Sequence, residues 1–338
     1  MEEVMSAGPA KCSDVGVVAI GRNEGDRLRQ CLESVVKDVA AVVYVDSGST
    51  DDSVALAQSL GVDVVNLDFD TPFTAARARN AGLDRLLESH PDLTFVQFVD
   101  GDCEVASGWL ETAREALLAE STVAVVCGRR RERFRSNSVY NRLCDIEWDT
   151  PVGEATACGG DAMMRVEAFR QVRGFHPRMI AGEEPELCFR FRREGRLILR
   201  LDAEMTLHDA AMVCFSQWWK RSVRAGHAYA EGSWLHGRSP ERYWVRETRS
   251  LLCWGFVLPL LMVVLAWPSA GLSLSALLLY PLLMLRVYRH MRQRRLVSSD
   301  AALYAFFCVL GKFPQALGAY RFYTARRSGK ANPIIEYK

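Results

Sequence analysis

Val15-Gly16-Val17-Val18-Ala19-Ile20, closed by Gly21-Arg22-Asn23-Glu24-Gly25, decides the fold. The first six residues form a short apolar run rich in valine. After the polar loop, Leu28, Cys31, Leu32, Val35 and Val36 recur at helical spacing, so the segment reads strand, loop, helix. The pattern repeats at once. Ala41–Val45 is a second buried strand and Asp46-Ser47-Gly48-Ser49-Thr50-Asp51-Asp52 a polar turn. That turn offers N-cap chemistry to a helix over Val54–Leu60. Val62–Leu67 is a third strand, and Thr74–Ser89 a helix that stops near His90-Pro91. Thr94–Val99 is a fourth strand running straight into Asp100-Gly101-Asp102. Strands alternating with helices through short loops predict an α/β fold with a doubly wound, mostly parallel sheet. Ligands of such sheets bind beyond the carboxyl ends of the strands, which gathers Glu24, Asp46 and Asp100-Gly101-Asp102 at one crevice.

Beyond Gly128 the alternation loosens. Val123–Cys127 reads as another strand, followed by Arg129-Arg130-Arg131 and an irregular stretch through Trp148 and Gly153. Gly159-Gly160 precedes a helix-like Val166–Arg173, and Glu183-Glu184-Pro185-Glu186 opens a helix over Leu187–Glu194. Leu197–Leu201 is a strand ending near His208.

The remainder changes character. Leu251–Trp267 holds seventeen residues without a charge, Leu272–Leu285 is a second apolar run, and Trp267-Pro268-Ser269-Ala270-Gly271 between them is a tight turn. Arg246 and Arg249 flank one end; Arg286, Arg289, Arg292, Arg294 and Arg295 flank the other. This pattern predicts a transmembrane hairpin with both basic ends on the cytoplasmic side of the inner membrane. Ala301–Tyr320 is apolar but broken by Lys312, Pro314 and Gln315, and is expected to be interfacial or re-entrant. The expected organisation is a tail over 1–14, a catalytic domain over 15–210, interfacial helices over 211–250, the hairpin over 251–288 and a basic segment over 289–338. With 42 basic and 41 acidic residues, nothing global argues for nucleic acid. The ten scattered cysteines form no CxxC pair and read as reduced thiols, and Met1–Asp14 lacks the apolar stretch of a signal peptide.

Asp100 and Asp102, at i and i+2 after a buried strand, can present oxygens to one hard cation, Mg²⁺ or Mn²⁺, that also meets diphosphate oxygens. Such triplets also occur in ordinary turns. Asp46 could accept from a nucleobase or ribose, or simply hold its turn. Arg77, Arg79 and Asn80 share a helix start that either reaches phosphate or forms a solvated basic face. Glu183 and Glu184 either favour the helix dipole or supply the base that deprotonates an acceptor hydroxyl. His208 reads as a metal ligand or a lone polar histidine.

Taken together, Val17–Glu24, Val45–Asp52, Ala78-Arg79-Asn80-Ala81-Gly82, Asp100-Gly101-Asp102 and Gly182–Arg190 resemble the ordered motifs of family 2 glycosyltransferases with a GT-A fold. The similarity extends over residues 15–210. It implies inverting transfer of one sugar from a nucleoside-diphosphate sugar. Donor contacts then fall on Ile20, Asn23, Glu24, Asp46, Arg79, Asp100 and Gly101, and the metal on Asp100, Asp102 and His208. The base falls in the acidic pair, where this chain has Glu-Glu in place of the usual Glu-Asp. Glu184 takes the aspartate's place, with Glu183 as the open alternative. Gly159, Gly160, Asp161 and Trp148 are expected to form the sugar or acceptor loop. Gln217-Trp218-Trp219-Lys220-Arg221 is not the Gln-x-x-Arg-Trp motif of polymerising relatives, so the expected acceptor is a lipid-linked or glycolipid molecule at the bilayer, in surface polysaccharide or glycolipid synthesis. The rival readings are a sugar nucleotidyltransferase and an inactive membrane scaffold.

Overall fold

The computed structural model describes residues 12–329, so most of the polar N-terminal stretch and the last nine residues lie outside the described range. Strand β1 (Cys12–Gly21) is buried along most of its length, as a strand covered on both faces by helices must be. It is followed by α1 (Asp26–Glu33), β2 (Val39–Asp46), α2 (Ser53–Ser59), β3 (Asp63–Asn66), α3 (Ala75–Ser89) and β4 (Phe95–Asp100). Thr74 caps α3 by accepting the Arg77 N–H at 3.1 Å, and the helix ends at His90 before Pro91, where a preceding residue avoids the helical region.

β1 pairs in parallel with β2 and β4, and β2 with β3. The register sets Gly21 beside Asp46 and Ile20 beside Asp100, so three strand ends and their loops meet at one edge. The expected α/β sheet is therefore present, and it becomes mixed beyond β4. β5 (Cys103–Val105), α4 (Trp109–Ala119), β6 (Val123–Glu132), α5 (Val139–Trp148), β7 (Gly153–Ala155), β8 (Ala162–Arg165), α6 (Val166–Gln171), α7 (Glu183–Arg193) and β9 (Leu197–His208) complete the region. β8 runs antiparallel between β4 and β6, while β9 pairs in parallel with β6 and antiparallel with the short β5 and β7. Two sequence expectations change here. β6 continues five residues past Cys127, and the stretch read as irregular contains α5.

Two compact units emerge. The first holds 12–133, 148–179 and 183–210 and contains the whole sheet. The second holds 134–147, 180–182 and 211–329, including two segments that the sequence reading assigns to the catalytic domain. Its helices are most of α5, then α8 (Phe215–His236), α9 (Val245–Leu252), α10 (Leu258–Ala266), α11 (Leu279–Gln293), α12 (Ser298–Leu310) and α13 (Lys312–Arg327). Trp267–Gly271 turns the chain with Ala270 and Gly271 at positive φ. Val245–Ala266, Leu272–Gln293 and Ser298–Arg327 are each long and apolar enough to cross a membrane. Val263, Val264, Leu278 and Leu282 in the first two, and Trp267 in the turn between them, are exposed, a surface that water penalises and lipid does not. α8 and α13 pack backbone to backbone. Any side chain at Gly226 would collide with the Gln315 carbonyl, and one at Gly318 with the Val223 carbonyl. Trp218 is buried against Phe307, ring centroids 4.9 Å apart, and Gln217 braces the start of α8 by accepting the Val213 and Cys214 N–H groups.

Candidate active site

Arg79 is the hub of the site. Only 2% of its side chain is exposed, and it lies one turn into α3. Its Nη2 meets Asp100 Oδ1 at 2.8 Å; its Nη1 meets Glu183 Oε1 at 3.0 Å and Glu184 Oε1 at 3.3 Å. One guanidinium thus joins the end of β4 to the start of α7, and it is no solvated face. A charge this deeply placed needs such paired acceptors. Gly160 permits the approach, since a Cβ there would stand 2.6 Å from Arg79 Nη2 and 2.9 Å from Asp100 Oδ2.

Glu183 is buried, while Glu184 keeps 16% of its side chain exposed. Burial first, then the adjacent Glu183 carboxylate, pushes Glu184 up to about 7, with Arg79 opposing. A carboxyl group poised near neutrality can take a proton and return it.

Asp100 is held from both sides, its Oδ2 accepting from Arg130 Nη2 at 3.1 Å. Behind it Asp161 is 0% exposed. Asp161 accepts the Asp100 backbone N–H at 3.0 Å, Arg130 Nε at 2.8 Å and the Thr206 hydroxyl at 2.7 Å. Asp161, expected in a sugar or acceptor loop, stands as a buried brace, because β8 inserts beside β4 and carries it inward. Trp148 is expected in the same loop. It ends α5 and packs edge-on against His208 at 4.6 Å, with the Arg130 guanidinium 5.4 Å above its ring. Gly159 is exposed and has nothing within 4 Å of its Cβ position.

Asp102 and His208 come together, Oδ1 to Nε2 3.2 Å, because β5 pairs with β9 and sets Cys103 opposite His208. Asp102, Cys103 and His208 bring donor atoms within 4.8 Å of one another. Burial and then Asp161 push the Cys103 thiol well above its usual range, so the oxygen and imidazole donors remain. That donor set suits Mg²⁺ or Mn²⁺. His208 Nδ1, buried and without a hydrogen-bond partner among the described residues, fits an imidazole whose working nitrogen is the other one. Asp100, the other expected ligand, is turned to its two arginines.

The nucleotide residues divide. Ile20 is buried, and its carbonyl accepts the Gly101 N–H at 2.8 Å. Asn23, at φ 57°, stitches two loops: its Oδ1 accepts the Thr50 N–H at 2.7 Å and its own N–H meets Ser49 Oγ at 2.9 Å. Glu24 pairs with Arg27 at 2.8 Å. Asp46 already accepts from Tyr44, Gly48 and Ser49, so its carboxylate holds the turn. Beside that turn stand Phe69, 80% exposed, and Phe73, both 3.2 Å from the Cβ position of Gly48.

Residues 17–173 match the Glycosyl transferase family 2 model. Over that stretch, just under half of its length, the chain is similar to this family. Pre-mycofactocin glycosyltransferases of two Mycobacterium tuberculosis strains are 28% identical over 212 residues, covering 58% of this chain and 43% of theirs. The chain therefore spans less than half the length of these curated relatives. A mannosyltransferase of Pyrobaculum calidifontis, solved with GDP-Man and Mn²⁺, shares the fold with a TM-score of 0.59, at 18% identity over 92% of this chain and 89% of that one. Within the family frame, sequence reasoning missed Arg130, Glu132, Thr206 and Phe69. A signal for the first two existed: they stand two apart in a strand, the period that repeats a face, had β6 been read to its end.

Proposed function

We propose that this chain is an inverting, divalent-metal-dependent glycosyltransferase that moves one sugar from a nucleoside-diphosphate sugar to a membrane-bound acceptor, lipid-linked or glycolipid. The observation that carries this reading is the pairing of Glu184, raised to about 7, with a deeply buried arginine that also holds Asp100. The base and the donor-side carboxylate are then parts of one rigid assembly.

In the mechanism, Glu184 accepts the acceptor hydroxyl proton while that oxygen bonds to the anomeric carbon. The bond from that carbon to the diphosphate oxygen breaks, and the nucleoside diphosphate leaves. Attack opposite the leaving group inverts the centre. Arg79 keeps Glu183 and Glu184 oriented and leaves Glu184 as the more exposed base. Asp102 and His208, with Asp100 once released from its arginines, would hold Mg²⁺ or Mn²⁺, which supplies charge neutralisation to the departing diphosphate. Phe69 and Phe73 offer a nucleobase an aromatic face beside the Asp46 turn.

We read Val245–Ala266 and Leu272–Gln293 as a membrane hairpin with basic ends toward the cytoplasm, and propose attachment to the cytoplasmic membrane with transfer on its inner side. Ser298–Arg327 is assigned to the interface instead. Its second half, α13, packs on α8, and α8 carries Lys220, Arg221, Arg224 and Glu231, too polar for hydrocarbon. Such an anchor suits surface polysaccharide or glycolipid synthesis. The test is product release: full-length protein with Mn²⁺, a panel of nucleotide-sugars and a lipid extract should liberate nucleoside diphosphate. Pyrophosphate instead would mark a nucleotidyltransferase, and failure to bind any donor a scaffold.

A further inference from the structure

One buried carboxylate beside the metal-ligand pair has no part in the mechanism above. β6 and β9 run parallel with Glu132 opposite His208, so the two side chains are neighbours across the ladder. Glu132 is 3% exposed, and its Oε2 accepts the Ala210 N–H at 3.0 Å. The same oxygen stands 3.8 Å from His208 Nδ1, the ring nitrogen that has no hydrogen-bond partner among the described residues. On the opposite side of the ring, Nε2 faces Asp102 at 3.2 Å. The strand exit holds both residues, because the Asp209 N–H donates to the Asp102 backbone carbonyl at 3.1 Å and the Ala210 N–H to the Glu132 carboxylate. Three consecutive residues, 208 to 210, thus bridge Asp102 and Glu132. Trp148 closes on the imidazole edge-on at 4.6 Å and limits how far it can turn.

A neutral imidazole has one N–H and one lone pair. With the proton on Nε2, the ring donates to Asp102 and blocks the place of a cation. With the proton on Nδ1, Nε2 offers its lone pair toward Asp102. An acceptor at Nδ1 decides between the two states, and Glu132 stands there. The gap need close by only about 1 Å to reach an ordinary N–H···O distance. We infer that Glu132 is the positioning residue of the metal site: it holds the proton on His208 Nδ1 and so presents Nε2 to a divalent cation shared with Asp102. This rests on the metal-dependent reading above.

The experiment titrates Mn²⁺ alone into full-length protein in detergent micelles, following free Mn²⁺ by electron paramagnetic resonance. Wild type is compared with Glu132→Ala, Glu132→Gln, His208→Ala and Asp102→Asn. Glu132→Ala should weaken Mn²⁺ by about 10–100-fold, the usual effect of losing a partner of a ligating histidine. Glu132→Gln should weaken it less, because its amide oxygen still accepts from Nδ1–H. Long-range proton–nitrogen correlations of labelled histidine should show Nδ1–H for His208 in wild type and loss of that pattern in Glu132→Ala. A merely structural role would lower the melting temperature without moving either readout in folded protein. Should Glu132→Ala fail to fold, Glu132→Leu takes its place, filling the space without an acceptor oxygen: an unchanged Mn²⁺ constant with Nδ1–H retained overturns the proposal. If both Glu132 variants bind like wild type while His208→Ala and Asp102→Asn do not, only the role of Glu132 falls. If wild type binds no Mn²⁺, or His208→Ala and Asp102→Asn bind it normally, the metal reading falls too.

Discussion

Glu184 offers a prediction whose direction, as well as size, follows from its surroundings. Burial, the Glu183 carboxylate and Asp100 raise its pKa to about 7, and Arg79 lowers it. A general base works as the carboxylate, so acceptor transfer should rise with pH through about 7. One unit below that midpoint only about one-tenth of the enzyme is competent. Glu184→Gln removes the basicity and keeps the shape; turnover should fall by about 10²–10⁴-fold, or about 2.7–5.4 kcal/mol, and the acid limb should vanish. The two neighbours should then move the limb in opposite senses. Glu183→Gln deletes a like charge, which favours the ionised form and carries the limb to lower pH. Arg79→Gln deletes the opposing charge and carries it to higher pH. The assay is initial rates at saturating donor and acceptor from about pH 5 to about pH 9, with donor affinity measured separately. The reasoning is refuted if the two neighbours shift the limb the same way, or if Glu184→Gln retains a limb near neutrality.

Asp102→Asn weakens the oxygen donor beside His208, so turnover with Mn²⁺ should fall at least about a hundredfold, about 2.7 kcal/mol; full activity in excess EDTA would contradict the metal reading. Asp161→Asn takes one charge from a buried pair while Arg130 keeps Asp100. It should therefore lose about 3 kcal/mol of stability, the low end for a broken buried ion pair, as read by denaturant unfolding; a change within about 1 kcal/mol would leave Asp161 no bracing role. With two spans and an interfacial α12–α13, tags at both chain ends should be protected together in sealed right-side-out vesicles and exposed together in inverted ones; protection of only one end would make Ser298–Arg327 a third crossing.

The parts of the fold that were legible are those whose local pattern and tertiary role agree. β1, β2 and β4 are buried on both faces and read as apolar runs, and α3 carries its own start and stop in Thr74 and Pro91. α5 was hidden because two of its buried positions are polar. Asn141 accepts the Met212 N–H and donates to the Phe134 carbonyl, and Asp145 pairs with Arg135 at 2.9 Å, so the apolar stripe is broken. β8 was hidden because four residues, two of them methionine, carry no strand signature.

The site divides along the same line. The motif loops were legible because the register of parallel strands brings their ends together whatever their sequence separation. The charges between those loops were not. Arg79 and Glu183 are 104 residues apart, Arg130 and Asp161 31 apart, and no periodicity links either pair. Their consequence reaches the chemistry. A buried arginine shared by Asp100 and the glutamate pair cannot favour the donor side without also acting on the base. Were Asp100 to turn to a cation it would leave Arg79, and the guanidinium would then be shared by Glu183 and Glu184 alone, favouring the ionised form of Glu184. Donor and metal should therefore lower the apparent pKa of Glu184. Comparing the acid limb of kcat/KM for acceptor at low and saturating donor tests this, and an acid limb that stays fixed would show that Arg79 does not couple the two halves of the site.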